Sequence, residues 1–414
     1  VDNVTHTLAG LLIADGAVLL RERSLARSRA EFVVLARLTS AIAANLPDLD
    51  FLYARRLTAG KLGYLLHHRG HTHTLLLGLA GGVLVYFLAR LARHRVFARL
   101  DASERRWLFA LCALGPLLHI AMDFSNNYGV HPFWPLVNGW YYGDSIFIVE
   151  PWFFVFVIPE VFFASKTRVA KWLLAAVLVI ALILAWVIPY VPWGVALALS
   201  AAALACLWFA RALSPPGRWL LAVAGTVVTL ATFAGGSAVA RAAVAGRVEV
   251  SGSAKSGGVQ DIVISPTPGN PLCFSSIAIL DDGDRYELRA GTVAVLPSLL
   301  PAERCRVQPT GLSLGLDPPR GTNDAVVHWD GDYGVPVARL ANLARTDCRV
   351  AAFFRFARAP FVRPLGERRW LIGDLRFDRD PQLDFSEFEL SPGDPCPTFV
   401  PPWREPRREL WEGR

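Results

Sequence analysis

The sequence predicts an α-helical membrane protein of about eight transmembrane helices with a C-terminal β-rich extramembrane domain. Three observations carry that reading. Of 414 residues, 53% are hydrophobic, too many for an average soluble domain. Apolar runs near membrane length recur between short charged connections. Beyond Ala240 the pattern changes to short alternating strands separated by Pro, Gly and Asp turns. The chain thus divides into a polytopic membrane domain, residues 1–240, and a β-rich domain, residues 241–414.

The apolar runs lie near 7–20, 32–46, 74–92, 107–123, 146–164, 172–188, 193–210 and 219–240. The first two fall short of the roughly 20 residues of a straight span, and the first contains Asp15, so they are expected as a hairpin that spans or re-enters. Val1 to Leu20 offers no basic n-region and no small-residue cleavage site, and does not read as a removable signal. Orientation follows from Lys and Arg, which accumulate in cytoplasmic loops. Four loops are basic: Arg21 to Arg29, including Arg27; Arg90 to Arg106; Lys166 to Lys171; and Arg211 to Arg218. The connections 125–145 and 189–193 contain neither residue type and are expected outside. Against this rule, Arg55, Arg56, Lys61 and Arg69 fall in an external connection.

The same count puts the β-rich domain outside the cytoplasm, in an oxidising compartment. There Cys273, Cys305, Cys348 and Cys396 form an even set with three possible pairings. Cys112 and Cys206 lie within spans as packing residues. Because the arginines sit between apolar runs, the net charge of +7 speaks for membrane lipids as neighbours and against nucleic acid as a partner. Strands are expected at Asp261 to Ser265, Ser276 to Leu280 and Val350 to Phe356.

Chemistry concentrates in four motifs before residue 125: Thr5-His6-Thr7, Pro47-Asp48-Leu49-Asp50, the run His67-His68-Arg69-Gly70-His71-Thr72-His73-Thr74, and His119 to Asp123. They begin or end successive spans at the same, outer face, so separations above 100 residues collapse into one layer. His119 and Asp123 are four apart and share a helix face. Pro47 ends the second span, so Asp48 and Asp50 are expected in an extended turn. Carboxylates at a membrane boundary need a cation or water beside them. Neutral imidazoles suit zinc, and carboxylates also tolerate manganese or magnesium. The expected ligands of a divalent metal are therefore His6, Asp48, Asp50, His68, His73, His119 and Asp123. Within the histidine run, His67 reads as a solvated loop residue, and Arg69 as a clamp for phosphate or carboxylate or as a headgroup anchor.

The segment Ser125 to Glu150 offers Asn126, Asn127, His131, Asp144 and Glu150 as polar candidates that could roof the site. Its Trp134, Trp140, Tyr141 and Tyr142 fit an interfacial aromatic belt equally well. Asp144 is the candidate for a further ligand or general base. Gly311-Leu312-Ser313-Leu314-Gly315 matches a serine-hydrolase elbow, but Pro318 and Pro319 follow too soon for the helix that an elbow must open. His328, Asp330 and Asp332 read as surface turn residues.

At these motifs the sequence resembles the YdjM family of bacterial inner-membrane proteins, described as LexA-regulated, membrane-bound, metal-dependent hydrolases. The resemblance rests on Asp2 with Thr5-His6, Pro47 to Asp50, His68 to Thr74, and His119 to Asp123. It continues at Pro266 to Pro271 and Gly373 to Phe377. It implies hydrolysis without naming a substrate. The expected activity is cleavage of an ester or phosphoester in a lipid or envelope substrate by metal-activated water, with Asp50 or Asp144 accepting a proton and Arg69 assisting. The rival expectations are a non-catalytic metal-binding protein or transporter, a metal-nucleotide glycosyltransferase using Asp48 and Asp50, and a scaffold stapled by its metal.

Overall fold

The computed structural model describes residues 1–24, 29–57, 60–250, 258–281, 284–366, 369–391 and 393–410. Arg27 of the first basic loop lies outside them. The membrane half contains α1 (Asn3–Ser24), α2 (Ala30–Asn45), α3 (Phe51–Leu57), α4 (Gly60–His67), α5 (Leu75–Ala92) and α6 (His94–Arg99). It continues with α7 (Ala102–Phe124), α8 (Pro151–Ala164), α9 (Arg168–Val187), α10 (Trp193–Ala212) and α11 (Pro215–Val250). Among the described residues six helices are long and apolar enough to cross a membrane, or seven if α2 and the turn and helix after it, bent by 50°, count as one span. The count falls below eight because residues 146–164 yield only the 14 residues of α8. Glu150 caps that helix and Pro151 opens it. The preceding residues fold back instead, with Ser145 and Ile146 N–H donating to the Ser125 carbonyl.

The hairpin of α1 and α2 is tightly packed because its contacts are small. Gly10 abuts the Ser40 carbonyl, and a Cβ on Gly115 of α7 would stand 2.7 Å from Ala43 Cβ of α2. The acid in the first span is paired: Asp15 Oδ1 lies 3.2 Å from Arg37 Nε of α2. Glu160 is likewise held by Arg218 at 3.2 Å. Outward faces such as Val179, Ile180 and Ile183 of α9 are exposed and apolar, which only hydrocarbon satisfies.

Past α11 the chain forms an antiparallel sheet in the order β1 (Val259–Thr267), β2 (Asn270–Asp281), β3 (Arg285–Ala294), β4 (Val327–Pro336). After α12 (Val337–Thr346) and α13 (Cys348–Phe353) comes a smaller sheet of β5 (Pro360–Pro364), β6 (Trp370–Asp374) and β7 (Phe388–Leu390). The last turns of α11 pack Val244 and Val248 against Ile264 and Phe274 of the first sheet. A second core joins Leu62, Leu65 and Leu66 of α4 to Phe353, Phe356 and Leu375. The β-rich domain therefore sits on the end of the bundle that carries α3 and α4. Disulfides join Cys273 to Cys305 and Cys348 to Cys396, while Cys112 and Cys206 are free and buried.

Two local expectations are corrected. Residues 350–356 are not a strand: Asp347 caps Arg349 N–H and starts α13. His328, Asp330 and Asp332 are not turn residues but belong to β4, where buried Asp332 pairs with Arg289 at 3.2 Å. The Gly311 to Gly315 stretch opens no helix, as its prolines require.

Candidate metal centre

Asp48 and Asp50 lie not in an extended turn but in one turn of 3-10 helix, Pro47–Asp50. Proline fits the first position of such a turn, where its missing N–H has no partner to lose. His73 ends a second 3-10 turn, and Thr74 immediately caps α5 by accepting from Leu77 N–H. His119 and Asp123 project from one face of α7, their side chains 3.3 Å apart.

Four side-chain atoms converge: Asp48 Oδ1, His73 Nε2, His119 Nε2 and Asp123 Oδ2. His73 Nε2 lies 3.1 Å from His119 Nε2 and 3.2 Å from Asp123. Asp48 Oδ1 is 3.5 Å from each of the two imidazoles. Ligands about 2.0–2.1 Å from one tetrahedral ion stand about 3.3 Å from each other, so these spacings are the edges such an ion would set. His73, His119 and Asp123 are fully buried.

The outer contacts aim the ring nitrogens. His119 Nδ1 lies 2.7 Å from the Ala44 carbonyl, an acceptor only, so that nitrogen carries the proton and Nε2 turns its lone pair inward. His73 Nδ1 is 3.2 Å from Asp50 Oδ2, the same arrangement with a carboxylate. Burial on its own lowers the pKa of His73, but Asp123, Asp48 and Asp50 outweigh it and push it up to about 10. A buried ring among three carboxylates demands positive charge. Asp50 also accepts from Arg69 N–H at 2.8 Å and contacts His68 Nδ1 at 2.9 Å. Asp48, Asp50 and His68 make a second group of possible ligands that shares Asp48 with the first.

His6 stacks on His119 at 3.6 Å between ring centroids, and its Nε2 is 3.4 Å from Asp123 Oδ1. Both His6 ring nitrogens and Asp123 Oδ2 are buried without a hydrogen-bond partner among the described residues, which leaves polar atoms facing the centre unsatisfied. Arg69, itself buried and in a left-handed backbone conformation (φ 57°), holds Asp123 Oδ1 at 3.0 Å and Asn126 Oδ1 at 2.8 Å. Its clamp closes on a carboxylate of the protein. Lys61 donates to carbonyls of Leu383, Asp384 and Glu387, so two of the positive charges that run against the loop rule are committed to protein.

Asp144 is not brought to the centre. Both its oxygens are held by Arg358, at 2.8 and 3.0 Å, and Arg241 of α11 adds a further contact. Arg358 in turn holds Asp261 at 2.8 Å, so these charges lock the loop after α7 to the β-rich domain. His67 is buried against Phe399, not solvated. His131 is enclosed by Trp140 and Trp403, and burial pushes its pKa down to about 3. The 125–150 segment borders the site where Asn126 meets Arg69 and Tyr128 meets His68, and its aromatics meet protein: Trp140 Nε1 donates to the Arg355 carbonyl and Arg358 covers Tyr142. Trp403, fully buried, donates from its indole to the Leu66 carbonyl. Neither it nor Arg358 carries a signal in the sequence, since the partners Leu66, Asp144 and Asp261 lie 337, 214 and 97 residues away.

A polytopic membrane protein with a closed His/Asp cluster at one end of its bundle is the class that fold and site define. Residues 1–194 match the family described as YdjM inner membrane protein, the family that the motifs in this part of the chain resemble. No curated protein and no solved structure matches the chain. The tail segments lie beyond the matched residues and contact the membrane half. Arg376 donates to the Asn127 carbonyl at 2.7 Å, and Gly269 N–H donates to Glu150 at 3.2 Å.

Proposed function

We propose that the chain is a membrane-bound, metal-dependent hydrolase that cleaves an ester or phosphoester of a lipid or envelope molecule. The supporting observation is the donor set: two inward Nε2 atoms and two carboxylate oxygens at 3.1 to 3.5 Å, with orphaned polar atoms around them. Zinc suits two imidazoles and two carboxylates at tetrahedral spacing, and manganese would be accepted. When bound, such an ion supplies Lewis acidity and lowers the pKa of water.

The residues then divide the work. Asp48, His73, His119 and Asp123 hold the ion. Asp50 orients His73 through Nδ1, and Arg69 neutralises Asp123 Oδ1 so that Oδ2 faces the centre. His68, with Asp50 on its Nδ1 and a side chain 15% exposed, is the group of the cluster placed to relay a proton. His6 closes the cluster from α1. The β-rich domain faces the periplasm in this reading, supported by its two disulfides and by the basic loops at the opposite end.

A second reading, a structural metal that staples the helices, is favoured by the full burial of His73, His119 and Asp123. A transport path is less well supported, because the deeper acids Asp15 and Glu160 are already paired. The test is elemental analysis of purified protein beside the double variant His119→Ala, Asp123→Ala. Stoichiometric metal lost from a folded variant supports the centre, and absence of metal from both removes it. Turnover of phospho- or carboxyl-ester lipids by the loaded protein separates hydrolase from staple.

A further inference from the structure

On the faces of α1 and α7 that adjoin those carrying the cluster lies an apolar cleft of about 240 Å³, lined on its other flanks by α8 and α11. Thr5 and Leu12 of α1, Leu118 and Met122 of α7, Phe153 of α8 and Leu230 of α11 form its walls. The periodicity explains why one pair of helices serves both features. Thr5 precedes His6, while Leu118 and Met122 precede His119 and Asp123, so cleft and cluster occupy adjoining faces offset by one residue, about 100° on a helix. Val1 is among the residues that line the cleft, and its backbone nitrogen touches Asp123. The threonines of α11 add no free polarity, since Thr226 and Thr229 donate back to Ala222 and Gly225. Glu150 at the edge is occupied in accepting from Trp152 and Gly269 N–H.

We propose that this cleft holds one hydrocarbon chain of a membrane lipid whose head lies at the His/Asp cluster. The inference rests on the hydrolase reading for the word substrate, though chain binding itself does not need a metal. The walls belong to membrane helices, so hydrocarbon from the bilayer is what reaches them, and polar solutes find nothing to bond. The volume of about 240 Å³ suits part of a single chain, and the lining residue Val1 touches Asp123 of the cluster. The substrate class is therefore an acyl-chain amphiphile whose cleaved bond lies near the headgroup.

The test uses full-length protein in nanodiscs containing phosphatidylglycerol with a mid-chain diazirine, irradiated and mapped by peptide mass spectrometry. Adducts on Leu12, Ile13 and Leu230 are expected to exceed those on the outer face of α9 at Val179 and Ile183. Val223→Trp and, independently, Thr226→Phe fill the cleft from α11 and are expected to cut the cleft adducts by about tenfold, with α9 labelling and metal content unchanged. Cleft labelling no higher than α9 labelling, or labelling unchanged in whichever variant folds, overturns the proposal. Metal content is read separately on the same samples. Cleft adducts without metal therefore sink the hydrolase reading alone, and metal without cleft adducts sinks the chain site alone.

Discussion

Replacing Asp50 by Asn separates a ligand from a residue that orients one. Asp50 Oδ2 faces His73 Nδ1 at 3.2 Å and also accepts from Arg69 N–H and the Thr72 hydroxyl, while Oδ1 meets His68 Nδ1 at 2.9 Å. An amide keeps one acceptor oxygen and loses the charge, so His73 loses the partner that fixes its tautomer and ring angle. Loss of such an outer contact weakens metal binding by about 10–100-fold, which is about 1.4–2.8 kcal/mol. The four-atom centre remains, so stoichiometry is expected to stay at the wild-type value. Competition with a chromophoric chelator in detergent reads the affinity, and elemental analysis reads the stoichiometry. An unchanged affinity would refute the orienting role. A fall in stoichiometry would make Asp50 a ligand, as the group of Asp48, Asp50 and His68 also allows.

Three further outcomes follow from the ion pairs and cysteines of the β-rich domain. Arg358→Met leaves Asp144 and part of Asp261 without their main partner, and is expected to cost about 3–5 kcal/mol, read as a drop in melting temperature; a loss below about 1 kcal/mol would show the lock to be dispensable. Burial alone would raise the pKa of Asp261, but Arg358, with Arg407 and Arg241, holds it down at about 2. A depressed carboxylate contributes above its unfolded pKa of about 3.9 and loses that contribution as pH falls toward 2, so about 2 kcal/mol should disappear over that window. Melting curves against pH should lack this slope in Asp261→Asn. Denatured, unreduced protein taken from membranes should show two free thiols, Cys112 and Cys206; six would place the β-rich domain in a reducing compartment.

Much of the site was legible because the membrane supplies a coordinate the sequence lacks. Span ends mark depth, so His6, Asp48, His73, His119 and Asp123 could be assigned to one layer from hydropathy and charge alone. Lateral detail was not legible. Asp144 shares that layer, yet Arg358 and Arg241 claim it, and no local pattern announces an ion pair across 214 residues. The same limit explains the strand expected at Val350 to Phe356. Alternation cannot separate a buried short helix from a strand, and here the Asp347 cap decided it. The short α8 shows the reverse case: hydropathy continued through residues 146–150, but Glu150 and Pro151 set the start of the helix.

Trp403 gives the centre a dependence in time as well as in space. Its indole closes on the Leu66 carbonyl, 337 residues upstream, and its ring lies against His131. The backing of the loop that carries His73 is thus absent while the bundle is first inserted, and arrives only when a distant stretch has been made, folded and docked. Contacts of such sequence separation form late. Every proposed ligand is made early, but the nest that steadies them is completed last, so the order of biogenesis keeps the immature centre loose until its lid is in place.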